Sequence, residues 1–397
     1  MLTAVLRRSL SPVSILLGLG LAGCTELSED PATAVDQDAI STENGLASIN
    51  GLSSFNGLAT SNGLSSFNGL ATSNGLSSFN GLMTTAPGRT TVSYLVKCAL
   101  PAGHQITKQD QLGNWYTFQG SLGLGPTWEN GGCDETCQQA VSACMMAHVN
   151  TTGVHIPLWV EGPMAALGWG SNDTFPLPEG TFFGNIFHPN SQGVVDAFFC
   201  NGKGFDYSIV PGRLGASQPG SPYRNPYLSS TDQKGYCFDH CPTPNTQQTA
   251  WGSNIAACPV NGKTFAAPIT VWRGETFQAE TAATLGGRIV DCPSCAGGKR
   301  VGYINGDVKI FPVNVTTTSA SHLVIVYYTN GDLVSRKMTM SVGANRQTVS
   351  FPPTGSWSTV GLVKLTTAGF ILGLNNAVTF SLVPGANPPD LDWIEIQ

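Results

Sequence analysis

The chain has 397 residues, of which 41% are apolar and only 11% are charged, and its formal net charge is −6. This length allows two folded domains. The acidic balance argues against nucleic acid and against an anionic membrane surface as binding partners. The low charge and the 47 glycines are typical of exported proteins rich in strands and loops, so we expect a mainly β fold.

The first 24 residues have the features of an export signal. Arg7 and Arg8 precede a short apolar run at 15–21, and small residues then lead to Cys24. This order is typical of a signal peptide, and the run is too short to span a bilayer permanently. The tetrad Leu-Ala-Gly-Cys that ends at Cys24 resembles the bacterial lipobox, which implies a signal peptide over 1–23 and acylation of Cys24. The alternative is an ordinary signal peptide with an incidental cysteine.

The residue after the lipobox bears on location. Thr25 rather than Asp follows the cysteine, and the resemblance to lipoproteins then implies the outer membrane or the cell surface. Two acyl chains anchor a protein stably. We therefore expect contact with the membrane only through the lipid anchor.

A low-complexity repeat follows. Between residues 44 and 82 the triplet Asn-Gly-Leu recurs every six residues. Such a period is compatible with a small β-solenoid, but solenoids need several coils and caps. Asn-Gly favours turns, so we predict a flexible tether over 24–85 with a reach of roughly 40–45 Å. Self-association through the repeat, as in an adhesin, stays open.

The cysteines predict disulfide bonds. Of the 11 cysteines, ten remain once Cys24 is set aside, and an even number in an exported protein predicts up to five disulfides. Eight lie in the middle region, and Cys292 and Cys295 lie near the C-terminus, so each region can pair internally. Cys292 and Cys295 are expected to close a small structural loop. Zinc at residues 237–241 is the alternative, but no second ligand pair has finger spacing.

Residues 86–272 are predicted to form a disulfide-rich mixed α+β domain, and they match no family that we recognise. Residues 91–97 predict a strand. The apolar face from 137 to 148 predicts a helix that Asp134 caps, and residues 154–160 predict another strand.

Catalytic motifs of the familiar kinds are missing from this region. It contains no nucleophile elbow, no His-Glu-x-x-His and no phosphate-binding loop. Glu161 and Glu179 each adjoin Gly and Pro in a loop-like setting. They are weak candidates for the two carboxylates of a glycoside hydrolase. An enzyme in the middle region is therefore an alternative to a purely binding protein.

Residues 274–397 predict an antiparallel β-sandwich. Short runs of alternating or apolar residues are separated by turn signals such as Asn-Gly-Asp and Pro-Thr-Gly, which is the pattern of stacked sheets with short strands. The predicted strands cover 309–315, 322–328, 337–342, 347–351, 362–366 and 377–382.

Four segments of this module, in order, resemble carbohydrate-binding modules of families 35 and 6. They are Gln-Ala-Glu at 278–280, the Cys-to-Tyr segment at 292–303, the Pro-Pro-Thr-Gly-Ser-Trp segment at 351–361, and Pro-Asp-Leu-Asp at 389–392. The resemblance implies a jelly-roll-like sandwich that is not catalytic. It also implies binding of a polysaccharide through loops at one end of the sandwich.

The resemblance implies a structural calcium site that joins the first strand of the module to the last. The matching residues are Gln278, Glu280 and Asp392. Calcium prefers six to eight oxygen ligands from carboxylates, amides and backbone. Gln278 stands where many relatives carry Glu, which removes one charge.

The resemblance also implies a sugar site. Tyr303 and Trp357 would stack on a pyranose, and Asn305, Asn387 and Asp390 would bind its hydroxyl groups.

One departure from the pattern limits the depth of this site. Val360 stands where many family 6 relatives carry a second Trp, which favours a shallow site for one terminal sugar or uronic acid. We therefore expect a lipid-anchored, exported carbohydrate-binding protein.

Overall fold

The computed structural model describes residues 40–44, 46–47, 82–150, 156–170, 172–188, 194–202, 224, 226–227, 235–243 and 254–397. The predicted signal peptide, Cys24 and residues 48–81 of the repeat lie outside this part of the chain.

The helices of the described residues are α1 (Ala86–Ala99) and α2 (Glu135–Ala147). Neither has the length and apolar content to cross a bilayer. Short 3₁₀ turns cover Leu82–Thr84, Pro126–Glu129, Cys237–Asp239, Ala279–Thr281 and Ala296–Gly298.

Strands make up most of the regular structure, which confirms a mainly β fold. Those of the middle region are β1 (Ile40–Asn44), β2 (Leu46–Ala47), β3 (Gln105–Gln109), β4 (Trp115–Gln119), β5 (Val149–Asn150), β6 (Ile156–Glu161), β7 (Leu177–Asn185), β8 (Asp196–Asn201), β9 (Cys258–Val260), β10 (Lys263–Phe265) and β11 (Ile269–Arg273). Those of the C-terminal module are β12 (Glu275–Gln278), β13 (Thr284–Leu285), β14 (Arg288–Asp291), β15 (Lys299–Gly302), β16 (Val308–Val315), β17 (His322–Thr329), β18 (Arg336–Val342), β19 (Asn345–Phe351), β20 (Val360–Thr367), β21 (Gly373–Leu382) and β22 (Asp390–Ile396).

The predicted helix is confirmed, and the strand predicted at 91–97 is wrong. Asp134 caps α2 by accepting a hydrogen bond from the Cys137 amide at 2.9 Å. Residues 91–97 instead lie within α1, where the Thr85 side chain accepts from the Gly88 amide at 3.1 Å. Tertiary burial overrides the β-branched residues here, because α1 packs its apolar side into the same core as α2.

A five-stranded sheet in the order β1-β6-β11-β7-β8 forms the middle domain. The pairs in this sheet are antiparallel. The core between the sheet and the helices includes Val141, Leu158, Phe182 and Val271, each no more than 1% exposed. A second cluster, around Phe183 and Phe265, contains the cysteines of the β8–β10 region.

The structure differs from the predicted tether at both ends of the repeat. Ile40–Asn44 pairs with β6 as the edge strand of the middle sheet. Leu82 and Met83 are 9% and 0% exposed in the core of the same domain. An unpaired sheet edge accepts a neighbouring extended segment even when few of its residues favour strands. The spacing of the repeat does not reveal such an edge.

The ten cysteines other than Cys24 form disulfides within their own region, as predicted. Because Cys237 and Cys241 are both bonded to other cysteines, the alternative of zinc at 237–241 is wrong. The bonds are Cys98–Cys144, Cys133–Cys137, Cys200–Cys237, Cys241–Cys258 and Cys292–Cys295.

The C-terminal module consists of two facing antiparallel sheets. One has the order β14-β15-β22-β17-β20, with β12 also paired to β22, and the other has the order β13-β16-β21-β18-β19. Each of the six predicted strands lies within or overlaps a strand of this sandwich. The inward side chains Val326, Met340, Phe351, Phe380 and Ile394 are at most 1% exposed, as face-to-face packing requires.

A single residue, Gly274, separates β11 of the middle sheet from β12 of the sandwich, within the compact unit Val35–Gln397. A Cβ at this position would lie 2.2 Å from the Ile396 carbonyl oxygen. Only glycine therefore allows the chain to pass here.

Candidate functional site

A cleft of about 600 Å³ opens between loops at one end of the sandwich. Four of the five residues that the sequence predicted for sugar binding line it, and the fifth, Asn305, is exposed outside the lining. The lining residues are Arg300, Tyr303, Ile304, Arg336, Trp357, Asn387, Pro388 and Asp390.

Tyr303 is the most exposed aromatic residue of the cleft. It follows β15, is 75% exposed, and has a φ of 51°. A left-handed conformation costs an L-residue roughly 1–2 kcal/mol. The Tyr303 amide faces the Asp390 carboxylate and opposes the rise that burial causes in its pKa, so this contact helps to hold the loop. The phenol ring is therefore presented to solvent by a constrained backbone.

Trp357 is half-buried and forms a wall of the cleft. A Cβ on Gly331 would lie 2.4 Å from Cδ1 of the indole, so the ring rests directly on the Gly331 backbone. The Arg336 guanidinium lies 4.8 Å from the ring centroid, at cation–π distance. Of the two predicted stacking residues, Tyr303 thus offers the more open ring.

Two arginines in the lining were missed by the sequence analysis. Arg300 donates from Nε to Asp390 at 2.8 Å and from Nη1 to the Trp357 carbonyl at 2.6 Å. Arg336 donates from Nε and Nη2 to Asp332 at 2.8 and 2.6 Å. Arg300 lies inside the 292–303 segment that carries the family resemblance. Its place in that segment is the sequence feature that could have identified it as a cleft residue.

Asp390 is buried beneath the cleft at 9% exposure. Burial raises its pKa, while the Arg300 guanidinium and the Tyr303 amide act in the opposite direction. Its position between Arg300 and Tyr303 makes it the residue that connects the arginine to the aromatic loop.

Gln278, Glu280 and Asp392, the predicted calcium ligands, lie on or next to β12 and β22. Oε1 of Gln278 and Oε2 of Glu280 are buried and have no hydrogen-bond donor within the described residues. Asp392 is fully buried, and its pKa is raised well above the usual value, first by burial and then by the negative charge of Glu280. Oxygens that lack donors beside two mutually repelling carboxylates fit the preference of calcium.

The loop closed by Cys292–Cys295 supports this set of oxygens. The Ala296 amide, directly after the loop, donates to both carboxylate oxygens of Asp392 at 3.1 and 3.3 Å. The disulfide therefore stabilises the module by fixing the Ala296 amide, which orients the Asp392 carboxylate.

The sequence placed the weak catalytic candidates Glu161 and Glu179 in loops, but the structure places both on strands. Each is 1% exposed. Glu161 ends β6 and accepts from the Asn254 amide at 3.2 Å. Burial raises the pKa of Glu161 to about 7, although the nearby N–H groups of Trp272 and Gly170 act against the shift.

Glu179 instead belongs to a buried ionic cluster between the middle domain and the module. Arg273, fully buried, lies 3.7 Å from Glu179, forms a two-point ion pair with Glu395, and donates to the Tyr327 hydroxyl at 2.8 Å. Burial lowers and the Glu395 carboxylate raises the pKa of Arg273, with a net upward shift. The setting assigns Glu179 a structural contact.

No protein-family model matches the chain, and no similar curated protein was found. Solved structures do share similarity with part of it. A family 35 carbohydrate-binding module from Clostridium thermocellum is 25% identical over 31% of this chain and 97% of that module, at a TM-score of 0.28. The family 35 module from Paenibacillus barcinonensis is 24% identical over 31% of this chain and 98% of its own length, at a TM-score of 0.29.

An exo-β-1,3-galactanase from Phanerochaete chrysosporium, solved with β-1,3-galactotriose, is 28% identical over 34% of this chain at a TM-score of 0.29. The chain spans only 31% of that enzyme. At TM-scores this low, the likenesses carry no weight for function, which has to be derived from the residues of the site.

Proposed function

We propose that the chain is a non-catalytic carbohydrate-binding protein that grips a polysaccharide in the cleft of its C-terminal sandwich. One observation carries this proposal: Tyr303, Trp357, Asn387 and Asp390, drawn from distant parts of the sequence, meet along one cleft. An exposed ring beside amide and carboxylate groups is the combination that a pyranose needs, because a sugar ring has both apolar C–H faces and hydroxyl groups.

Each group has a separate task in binding. The Tyr303 ring stacks on the sugar, and the Trp357 edge limits the cleft on one side. The exposed Asn387 side chain offers both a donor and an acceptor. Asp390, fixed by Arg300, accepts from a hydroxyl group. The cleft volume of about 600 Å³ suits one or two sugar units rather than a long polymer segment.

The test is a titration of the purified protein with a panel of plant and microbial polysaccharides. Tyr303→Ala should weaken binding several-fold, up to about tenfold, because aromatic stacking contributes about 0.5–1.5 kcal/mol. Phe311→Ala, which removes an exposed aromatic ring on β16 outside the cleft, is the matched control. An equal loss of affinity in Tyr303→Ala and Phe311→Ala, or no binding to any polysaccharide, would contradict the proposal.

We also propose that Gln278, Glu280 and Asp392 hold a calcium ion, which would supply the positive charge that these oxygens lack. Because the carboxylates must be ionised to bind the ion, and the pKa values of Glu280 and Asp392 are raised, binding should strengthen with pH. Calcium should therefore raise the melting temperature more at pH 7.5 than at pH 5, and Asp392→Asn should abolish the difference. A melting curve unaffected by chelator would contradict it.

Acylation of Cys24 and residence at the outer membrane or cell surface are part of the same proposal. The lipobox resemblance supports them. Metabolic labelling with a fatty acid should mark the protein and fail to mark Cys24→Ser, and an unlabelled wild-type protein would refute the anchor.

A further inference from the structure

Each arginine that lines the cleft forms an ion pair with a nearby aspartate. Nε of Arg300 lies 2.8 Å from Asp390, and their side chains are only 10% and 12% exposed. Nη2 of Arg336 lies 2.6 Å from Asp332, with side chains 18% and 36% exposed. Asp390 lines the cleft together with both arginines, and Asp332 lies directly behind Arg336 outside the lining. Each guanidinium is therefore paired with a carboxylate before any ligand enters.

Arg336 already donates three of its five N–H groups within the protein. Its three nitrogens donate to Asp332 and, from Nη1, to the Pro388 carbonyl at 2.5 Å. A ligand carboxylate would have to share this guanidinium with Asp332. It would also approach the Asp390 carboxylate. Separating a partly buried ion pair leaves an uncompensated charge, which is costly.

The Arg300–Asp390 pair suits the neutral hydroxyl groups of a sugar better than it suits a carboxylate. Asp390 keeps acceptor sites on its carboxylate, and Nη2 of Arg300 carries two further N–H donors beyond the bonds from Nε and Nη1. An acceptor and a donor side by side satisfy two neighbouring hydroxyl groups of a sugar. Neither contact requires the ion pair to separate.

We infer that the cleft selects uncharged sugars and disfavours uronic acids, because each of its arginines is already paired with an adjacent aspartate, Arg300 with Asp390 and Arg336 with Asp332. This selectivity rests on the proposed carbohydrate-binding function and narrows its ligand class. It also decides between the two ligand types that the sequence left open, a terminal neutral sugar and a uronic acid.

The first experiment compares neutral xylo-, galacto- and manno-oligosaccharides with oligosaccharides of the same length that end in glucuronic or galacturonic acid, by calorimetric titration of the purified protein. At least one neutral series should bind, and its dissociation constant should change less than about twofold between 50 and 500 mM NaCl, because no charged partner is screened. Tighter binding of the uronic series, weakened by salt, would overturn the inference and leave the proposed function standing. Binding to none of these oligosaccharides would overturn both the inference and the proposed carbohydrate-binding function.

The second experiment reverses the selectivity. Asp332→Asn removes the counter-ion of Arg336, so the uronic series should gain about tenfold in affinity, as expected for one new charge-assisted hydrogen bond. Asp307→Asn, an exposed acid of the Tyr303 loop region, is the matched control and should gain nothing. Unchanged uronic affinity in a folded Asp332→Asn protein would overturn the inference. Should that variant not fold, the salt dependence of the wild-type protein decides alone.

Discussion

At the scale of single residues, buried acids differ in what surrounds them. Asp392 lies with Glu280 and a backbone amide, Glu179 faces Arg273, and Glu161 has backbone donors but no cation among its described contacts. An acid buried without a cation favours its neutral form. Its cost to the fold therefore depends on pH.

Glu161 makes the free energy of unfolding fall as pH rises. Its pKa is about 7 in the folded protein against a usual 4.5. Below pH 4.5 both states are protonated. Between 4.5 and 7 only the unfolded state ionises, so stability falls by about 3 kcal/mol and then levels off. Urea denaturation across pH 4–8 should show this fall in the wild type and a flatter profile in Glu161→Gln.

Asp307→Asn, which changes an exposed acid, should keep the wild-type dependence of stability on pH. An identical fall of stability in Glu161→Gln would refute this account.

The Glu161→Gln variant also tests the alternative that the middle domain is an enzyme. Release of reducing sugar from a polysaccharide that disappears in Glu161→Gln would favour catalysis in the middle domain.

At the scale of elements, β1 shows that the segment directly before the repeat contributes to the fold. Its residues pair with β6 from Ile40 opposite Val160 to Asn44 opposite Ile156. Without β1, the hydrogen-bonding edge of β6 would face solvent, and such edges promote association.

Prolines in β1 should therefore destabilise the middle domain. Adjacent residues of a strand point their N–H groups to opposite sides, so Thr42→Pro with Glu43→Pro must remove a ladder bond. We expect a melting temperature lower by a few degrees, for a loss of roughly 1–2 kcal/mol. Thr42→Ala with Glu43→Ala, which keeps both N–H groups, is the control. Equal melting temperatures would show that β1 adds no stability.

At the scale of the whole molecule, the cleft and the domain junction occupy opposite ends of β22. Asp390 begins this strand at the cleft, and Glu395 and Ile396 end it at the junction. At about 3.3 Å per residue, roughly 20 Å separates them. Further contacts close the junction: Gln397 donates to the Pro157 carbonyl at 3.2 Å, and Thr316 donates to the Asp173 carbonyl at 2.7 Å.

Removing the cation of the junction should destabilise the protein without affecting sugar binding. Arg273→Met removes the cation that faces the buried carboxylates of Glu179 and Glu395, which should cost about 3–5 kcal/mol of unfolding free energy. Arg288→Met, on the exposed strand β14, is the control. Denaturation and sugar titration of the same samples separate the effects. A loss of sugar affinity as large as the loss of stability would show that the junction and the cleft are coupled.

The sequence by itself determined the sandwich strands, helix α2 and the internal pairing of the cysteines, because alternation, helical spacing and an even cysteine count are local signals. It also supplied Tyr303, Trp357 and Asp390 through the family resemblance. Only the tertiary structure decided that α1 is a helix, that Ile40–Asn44 is a strand, and that Arg300 and Arg336 face the cleft with their counter-ions. Those outcomes depend mostly on partners remote in the chain: a core to cover, a free sheet edge and, for Arg300, an acid 90 residues away. Asp332 is only four residues from Arg336, but its position behind the cleft still depends on the fold. No short stretch of sequence encodes such partners.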